Sequence, residues 1–438
     1  MVFLRPVWSQ KGDMMDRQQT LVDTDPGAEV QGAPEGRPTS SKVGWALLLV
    51  VSFVLIGAAL LVTLGALIPG LGLLSVLGGL VAATVSPHFV LLGAAVSVVG
   101  LVARRRGLRK SGGAALGLGG IGLVSNAVIV AVLIGTVNQA DGSVNLASAT
   151  FGLSGISAAD PDETHVYTRT ESGEDLTVDV YHAADAGTGS DQKPAVMQVH
   201  GGGWSEGDPR HTAAQNRELA DNGYTVLGVT YELAEEGDPT WDRAQQHVTC
   251  AASWIADHAE DLQVDLDRFA YWGDSAGGNL ALNTAYSAAQ GTAESSCGGT
   301  APVPGAVVTD YPGVDMEAIY EGDFPVEGMT GADFTRTYTG GSPSEYPERY
   351  EATSTERFIS ADAPATLIVE PTQDTLVPTD SVLSFAETAA EAGVPIELVE
   401  IPFSWHIFDQ LAHNSIGYQA HTSLGLQFLE EQLGRPER

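Results

Sequence analysis

Positive charge is scarce in this 438-residue chain, which holds 21 Lys and Arg against 55 Asp and Glu. The shortage is sharpest from Asn138 onward, where 11 basic residues stand against 49 acidic ones. Gripping a phosphate backbone takes Lys and Arg, so nucleic acid is excluded as a partner. Docking of this part on anionic lipid is disfavoured for the same reason. The acidic surface reads as a solubility feature. Cysteine is scarce too, with Cys250 and Cys297 alone. An even pair in an oxidising compartment predicts one disulfide between them. From Val43 to Ala103 charge of either sign is missing, and His88 is the one ionisable side chain there. Transport would be expected to need a charge inside the membrane, so this run supplies nothing for it. No internal repeat is present.

What the uncharged region does have is length. SKVGWALLLVVSFVLIGAALLVTLGALIPG, from Ser41, carries an apolar run longer than the about 20 residues that cross a bilayer. It starts too late and runs too long for a cleavable signal peptide. A second candidate span lies within Leu74 to Ala103, and a third runs from about Ala114 to Val137. Pro69 and several glycines interrupt Ala66 to Val85, which leaves a fourth span, a re-entrant piece or an extension of the second open; three spans are expected. Between the last two sits RRRGLRK, Arg104 to Lys110, with five positive charges in seven residues. Such clusters mark the cytoplasmic side. The chain beyond Asn138 is therefore expected outside the cytoplasm, and five Lys and Arg in the N-terminal tail suit a cytoplasmic start. The expected division is a disordered tail at 1–42, a membrane region of about three helices at 43–137 that contacts the lipid bilayer as a plain anchor, a linker at 138–161, and a catalytic domain at 162–438.

In that domain apolar strands alternate with helices. LTVDVYHA, PAVMQVH, TVLGVTYEL, RFAYWGD, GAVVTDY, ATLIVEP and IELVEIP read as strands. Helices are expected over Trp241 to Leu262, Ala276 to Ala289, Ser381 to Ala392 and about Ser423 to Leu433. This pattern predicts an α/β fold with a mostly parallel, doubly wound sheet.

Two glycine clusters stand at strand ends. Gly273-Asp274-Ser275-Ala276-Gly277 is a G-x-S-x-G at a strand-to-helix junction, where a sharp turn pushes a serine hydroxyl out above the sheet. A serine needs a base to take its proton and a carboxylate to hold that base. In this type of fold the acid and then the histidine follow the serine in the chain. Asp374 follows strand ATLIVEP and His406 follows IELVEIP, both on the sheet edge where ligands bind. Asp310, Asp380 and Asp409 are the rival acids, and His413 is the rival base. His200 precedes the serine and reads as a loop-ordering residue. The other cluster, HGGGW at 200–204, supplies bare backbone. The N–H groups of Gly202 and Gly203, with that of Ala276, are the candidates for an oxyanion hole.

HGGGW, GDSAGGNLAL at 273–282, DTLVP at 374–378 and His406 occur in an order that resembles the α/β-hydrolase serine esterases and lipases, close to the hormone-sensitive-lipase-like and feruloyl-esterase-like carboxylesterases. The resemblance covers roughly residues 160–438. It implies an eight-stranded sheet and ester hydrolysis without metal or organic cofactor. It also implies Ser275 as nucleophile, His406 as base, Asp374 as its partner, and Gly202, Gly203 and Ala276 as the oxyanion hole. Three departures stand out. YELAEE at 231–236 puts Glu232 where such relatives carry arginine, LVP follows Asp374, and Ile407 replaces the usual glycine after the histidine.

The stretch 312–362 is too long for a simple connection and is expected to form a cap. Trp204, Phe403 and Trp405 are candidates to line an acyl pocket. The expected activity is a membrane-anchored serine hydrolase acting on small or envelope-linked acyl esters. The alternatives are a serine peptidase of the prolyl-oligopeptidase kind and an inactive binding domain. The first lacks room for a propeller and a Glu-Glu helix motif. An intact set of catalytic residues opposes the second.

Overall fold

In the computed structural model, residues 39–155, 159–184 and 192–436 are described. Most of the expected tail, at 1–38, and residues 156–158 of the expected linker lie outside them.

Three helices open the described chain: α1 (Thr39–Leu67), α2 (Leu73–Arg105) and α3 (Arg109–Gln139). Each is long and apolar enough to cross a membrane. Leu47, Leu61, Leu91, Val98 and Val128 point outward and are at least two-fifths exposed, a surface suited to lipid rather than water. Pro69, Gly70 and Gly72 break α1 from α2, and both glycines take positive φ. The interrupted stretch Ala66 to Val85 is thus the end of α1, a turn and the first turns of α2. It is an extension of the second helix and not a fourth one.

After α3 comes a short helix, α4 (Leu146–Phe151), capped by Asn145, whose side chain accepts from Ser148 N–H at 3.1 Å. The remaining elements follow as β1 (Glu163–Arg169), β2 (Asp175–Tyr181), β3 (Lys193–Val199), α5 (Ala213–Asp221), β4 (Thr225–Val229), α6 (Ala244–Asp257), β5 (Val264–Asp274) and α7 (Ser275–Gln290). Then come β6 (Ala306–Asp310), α8 (Met316–Glu321), α9 (Gly331–Thr339), α10 (Pro347–Thr353), β7 (Ala365–Pro371), α11 (Thr379–Glu391), β8 (Ile396–Ile401) and α12 (Ile416–Leu433). The eight strands form one sheet in the order β1-β2-β4-β3-β5-β6-β7-β8. β1–β2 and β2–β4 pair antiparallel, and every later pair is parallel. Strands covered on both faces must be apolar on both, and β4 and β6 are buried along their whole length.

The sheet domain departs from the sequence reading at four elements, one of them α5, a helix absent from that reading. β1 was not expected; most of its residues are half-exposed or exposed, so it carries no apolar run. α6 is shorter than Trp241 to Leu262. α12 begins at Ile416, not near Ser423, because the Ser415 hydroxyl caps it by accepting from Tyr418 N–H at 3.0 Å. α8, α9 and α10 fill the stretch expected to form a cap. Cys250 of α6 is joined to Cys297 beyond α7, with Cα atoms 5.5 Å apart. Ala46–Arg438 forms one compact unit, so the contacts between α2, α3 and the sheet domain are internal to it.

Candidate active site

The parallel strands deliver their C-terminal ends to one edge, and the candidate residues collect there. β5 stops at Asp274 and α7 starts at Ser275, which takes φ 52°. A positive φ at a non-glycine residue is strained and puts the side chain out of the turn. The turn closes only because its neighbours are small. A Cβ on Gly277 would meet the carbonyls of Val199 and His200.

His406 stands on the loop after β8, with Nε2 3.0 Å from Ser275 Oγ. Its Nδ1 lies 2.5 Å from Asp374 Oδ2, on the loop after β7. Asp374 is itself held: its Oδ1 accepts from Leu376 N–H at 2.9 Å and Val377 N–H at 3.0 Å. The LVP that follows Asp374 therefore supplies backbone donors to the carboxylate. Ser275, His406 and Asp374 form one hydrogen-bonded line.

The glycine loop after β3 faces this line. Gly202 and Gly203 adopt φ 118° and 57°, conformations open to glycine. Among the described residues, neither N–H has a protein acceptor. Ala276 N–H lies in the first turn of α7, where helical N–H groups have no intrahelical partner. His200 orders the loop. Its Nδ1 hydrogen-bonds with the Gly201 carbonyl at 2.8 Å, and its ring stacks on Tyr231 at 4.5 Å. Burial pushes its pKa down to about 4, so the ring is neutral at physiological pH.

The rivals are engaged elsewhere. Asp310 accepts from Trp272 Nε1 at 3.0 Å and pairs with His421 Nδ1 at 3.1 Å. Asp409 accepts from the Tyr311 hydroxyl at 2.7 Å. Asp380 is exposed in the first turn of α11. His413 faces Glu218 at 3.8 Å on the surface. Glu232, in the place of the relatives' arginine, accepts from Arg243 Nε at 3.0 Å.

Sequence reasoning missed Asp274. Its carboxylate accepts from Gly201 N–H at 3.1 Å and from Gln410 Nε2 at 3.0 Å, tying the glycine loop and the histidine loop to the serine turn. Burial, with Asp310 nearby, raises its pKa. The residue before the serine is unrestricted in G-x-S-x-G, so the motif alone gives no signal for it. Ile407 takes φ 54°, which explains the glycine usual at that place. Here a β-branched side chain accepts the strain and lines the cavity above Ser275.

That cavity has a volume of about 420 Å3. Its walls include Trp204, Trp405, and Ile319, Phe324, Met329 and Phe334 from the 312–362 stretch. Trp204 stacks on Tyr338 at 4.8 Å, and Trp405 on Phe324 at 5.0 Å. Phe403 does not line the cavity; it packs against the core on one face of the sheet.

A sheet of this order and direction, with a serine on the β5–α7 turn, is the α/β-hydrolase fold. Thermogutta terrifontis esterase 2, solved phosphonylated by sarin, shares it with a TM-score of 0.53 at 23% identity, covering 63% of this chain and 96% of that one. Residues 178–388 match the family model described as BD-FAE. Among curated proteins the chain is similar to the probable carboxylic ester hydrolase LipM of Mycobacterium tuberculosis, 28% identical over 246 residues, 54% of each chain. It is 29% identical over 234 residues to esterase LipI of the same organism, covering 52% of this chain and 67% of LipI. The chain spans about half the length of LipM.

Proposed function

We propose that this chain is a membrane-associated serine hydrolase that cleaves carboxylic esters. One observation carries the reading: the continuous line Ser275–His406–Asp374, whose serine and histidine line a cavity together with the glycine loop and its unengaged N–H groups. The names borne by LipM and LipI support the ester as the substrate class.

The chemistry follows from the positions. The Ser275 hydroxyl gives its proton to His406 Nε2 as Oγ bonds to the ester carbon. Asp374 holds the ring through Nδ1 and balances the imidazolium. Negative charge gathers on the former carbonyl oxygen, and N–H groups of Gly202, Gly203 and Ala276 receive it; one such donor is typically worth ~3 kcal/mol. The C–O bond breaks, and the alcohol leaves with the proton from His406. Water, deprotonated by His406, then attacks the acyl-serine, and the carboxylic acid departs as Oγ regains its proton.

The catalytic domain is placed outside the cytoplasm in this reading. Arg104 to Lys110 join α2 to α3 at one end of their hairpin, while Gly79 and Gly142 meet the sheet domain near the other. The Cys250–Cys297 bond fits an oxidising compartment. Protease added to intact cells is expected to digest the domain, and complete protection until lysis would refute this side.

The function is tested with the full chain in detergent. Hydrolysis of p-nitrophenyl butyrate and a single paraoxon adduct on Ser275 are expected. No hydrolysis, or an adduct on another residue alone, would overturn the assignment.

A further inference from the structure

The cavity above Ser275 is not built by the sheet domain alone. Val76 and Leu80 of α2 form part of its wall. Val76 is 6% exposed, although it belongs to a helix apolar enough for a membrane. The contact is close and fixed. Gly79 lies so near Trp405 that a Cβ there would stand 2.8 Å from the Trp405 Cβ. Gln373 Nε2 donates to the Ala66 carbonyl at 2.6 Å, at the end of α1. Trp405 immediately precedes His406, and Gln373 immediately precedes Asp374. Both loops of the hydrogen-bonded line are thus clamped to the apolar helices. A plain anchor would need none of this.

The length of α2 places the contact. Its 33 residues make about 50 Å of helix, against a hydrocarbon core of about 30 Å that about 20 residues fill. Counted from the Arg104 end, that core is filled by about Thr84 to Ala103, and Leu73 to Ala83 stand above it. Leu80 is then about 6 Å from the lipid boundary. Leu73, Leu77 and Leu80 share one helix face by their spacing, so an apolar stripe runs along this stretch of α2 and includes the cavity wall. Leu73 and Leu77 are exposed, as is Met329, which lines the cavity from the 312–362 stretch. Exposed large apolar groups beside a cavity, in an otherwise acidic domain, mark a path for an apolar ligand.

We propose that α2 is a working wall of the substrate site and that the substrate is a long-chain ester of a membrane amphiphile. Its apolar chain passes between Leu77 and Leu80 on one side and Met329 on the other, and its carbonyl reaches Ser275. The proposal rests on the ester-hydrolase reading and adds chain length and source to it. The specificity-determining residues are Val76, Leu77 and Leu80.

The test compares p-nitrophenyl palmitate with p-nitrophenyl butyrate, using the full chain in one detergent. The readout is the ratio of the two kcat/KM values. Leu80→Trp narrows the path, and Leu77→Asp places a charge on it; Leu101→Trp, exposed on the far part of α2, is the control. A buried methylene is worth ~0.8 kcal/mol, so losing contact with two or more should lower the palmitate-to-butyrate ratio about tenfold. The control should leave the ratio unchanged. An unchanged ratio in Leu80→Trp and Leu77→Asp overturns the proposal, even if both esters slow alike. Leu77 is exposed, so its variant reports even if Leu80→Trp folds poorly. Absence of butyrate hydrolysis in the unaltered chain would instead overturn the ester-hydrolase reading, and this proposal with it.

Discussion

Among the described residues, two buried histidine–aspartate pairs have different surroundings. His406 and Asp374 meet on the loops after β8 and β7, 2.5 Å apart. His421 of α12 and Asp310 at the end of β6 meet beneath them, 3.1 Å apart. Neither histidine is more than 4% exposed. What separates the pairs is the rest of each ring's environment. His406 Nε2 faces a serine hydroxyl beside a cavity of about 420 Å3. His421 borders a void of about 20 Å3, enough for about one water, shared with Asp274, Asp310 and Asp409. Burial alone would lower the His421 pKa, but the carboxylates of Asp310 and Asp409 outweigh it and lift it to about 9. At neutral pH His421 is thus a cation that offsets buried negative charge, and a ring already protonated cannot serve as a base. In the proposed reaction the same two residue types make a proton acceptor in one place and a counter-ion in the other.

The comparison breaks most sharply at the serine, which touches only one of the pairs. Ser275→Ala is expected to lower kcat for p-nitrophenyl butyrate by about 10⁶-fold, with folding preserved. Activity within tenfold of the parent would remove His406 from its proposed role, since its partner would then be dispensable.

Next comes the acid. Asp374→Asn should lower kcat by about 10³–10⁴ with little change in KM, because an amide favours the wrong tautomer of His406 and cannot balance the imidazolium. Asp310→Asn should leave kcat within about tenfold, a loss far short of that expected from Asp374→Asn. If Asp310→Asn were the more damaging change, the two pairs would have to exchange roles.

How the two pairs divide was only partly legible beforehand. Ser275, Asp374 and His406 each follow an apolar strand in the required order, so a strand reading places them on one edge. Asp310 ends a strand just as well. It ranks behind Asp374 because its strand is not the one just before the histidine's, and what it does instead, pairing with Trp272 and His421, shows only in the structure. β1 escaped because most of its residues are solvent-exposed at the sheet edge, leaving no apolar alternation to read. Asp274 escaped because its motif leaves that position free. Val76 and Leu80 were invisible for another reason. In an apolar run, a side chain facing a substrate cavity looks the same as one facing lipid.

The buried pair should show itself in stability instead. His421 has a folded pKa raised from 6.5 to about 9, so its contribution is complete below pH 6.5 and lost as pH rises through about 9. Burial lifts the Asp409 carboxyl to about 6, so the fold also favours its protonated form and loses stability as pH rises from about 4 through 6. Both have the same sign. The melting temperature is therefore expected to fall from mildly acid pH toward pH 9. Asp310→Asn removes the strongest influence raising His421 and should flatten the upper part of that slope. An unchanged slope between pH 6.5 and 9 would show that His421 is not the cation described.

A half-exposed histidine–carboxylate pair, set beside the two buried ones, has the smallest expected effect. His413 Nε2 lies 3.8 Å from Glu218 Oε2, and each side chain is about one-third exposed. Water screens such a pair, and holding two mobile side chains together costs entropy, so it is worth ~0–1 kcal/mol. The backbone of His413 does more: its N–H donates to the Ser154 carbonyl at 3.0 Å, a bond that any side chain retains. The ring packs near Tyr418, with centroids 4.6 Å apart, and glutamine keeps part of that contact. His413→Gln should therefore shift stability by less than about 1 kcal/mol and leave kcat unchanged. The measurement is a melt paired with the butyrate assay. A loss of kcat in His413→Gln comparable to that in Asp374→Asn would make His413 a base after all. The difference between the three pairs would then lie somewhere other than in what each ring faces.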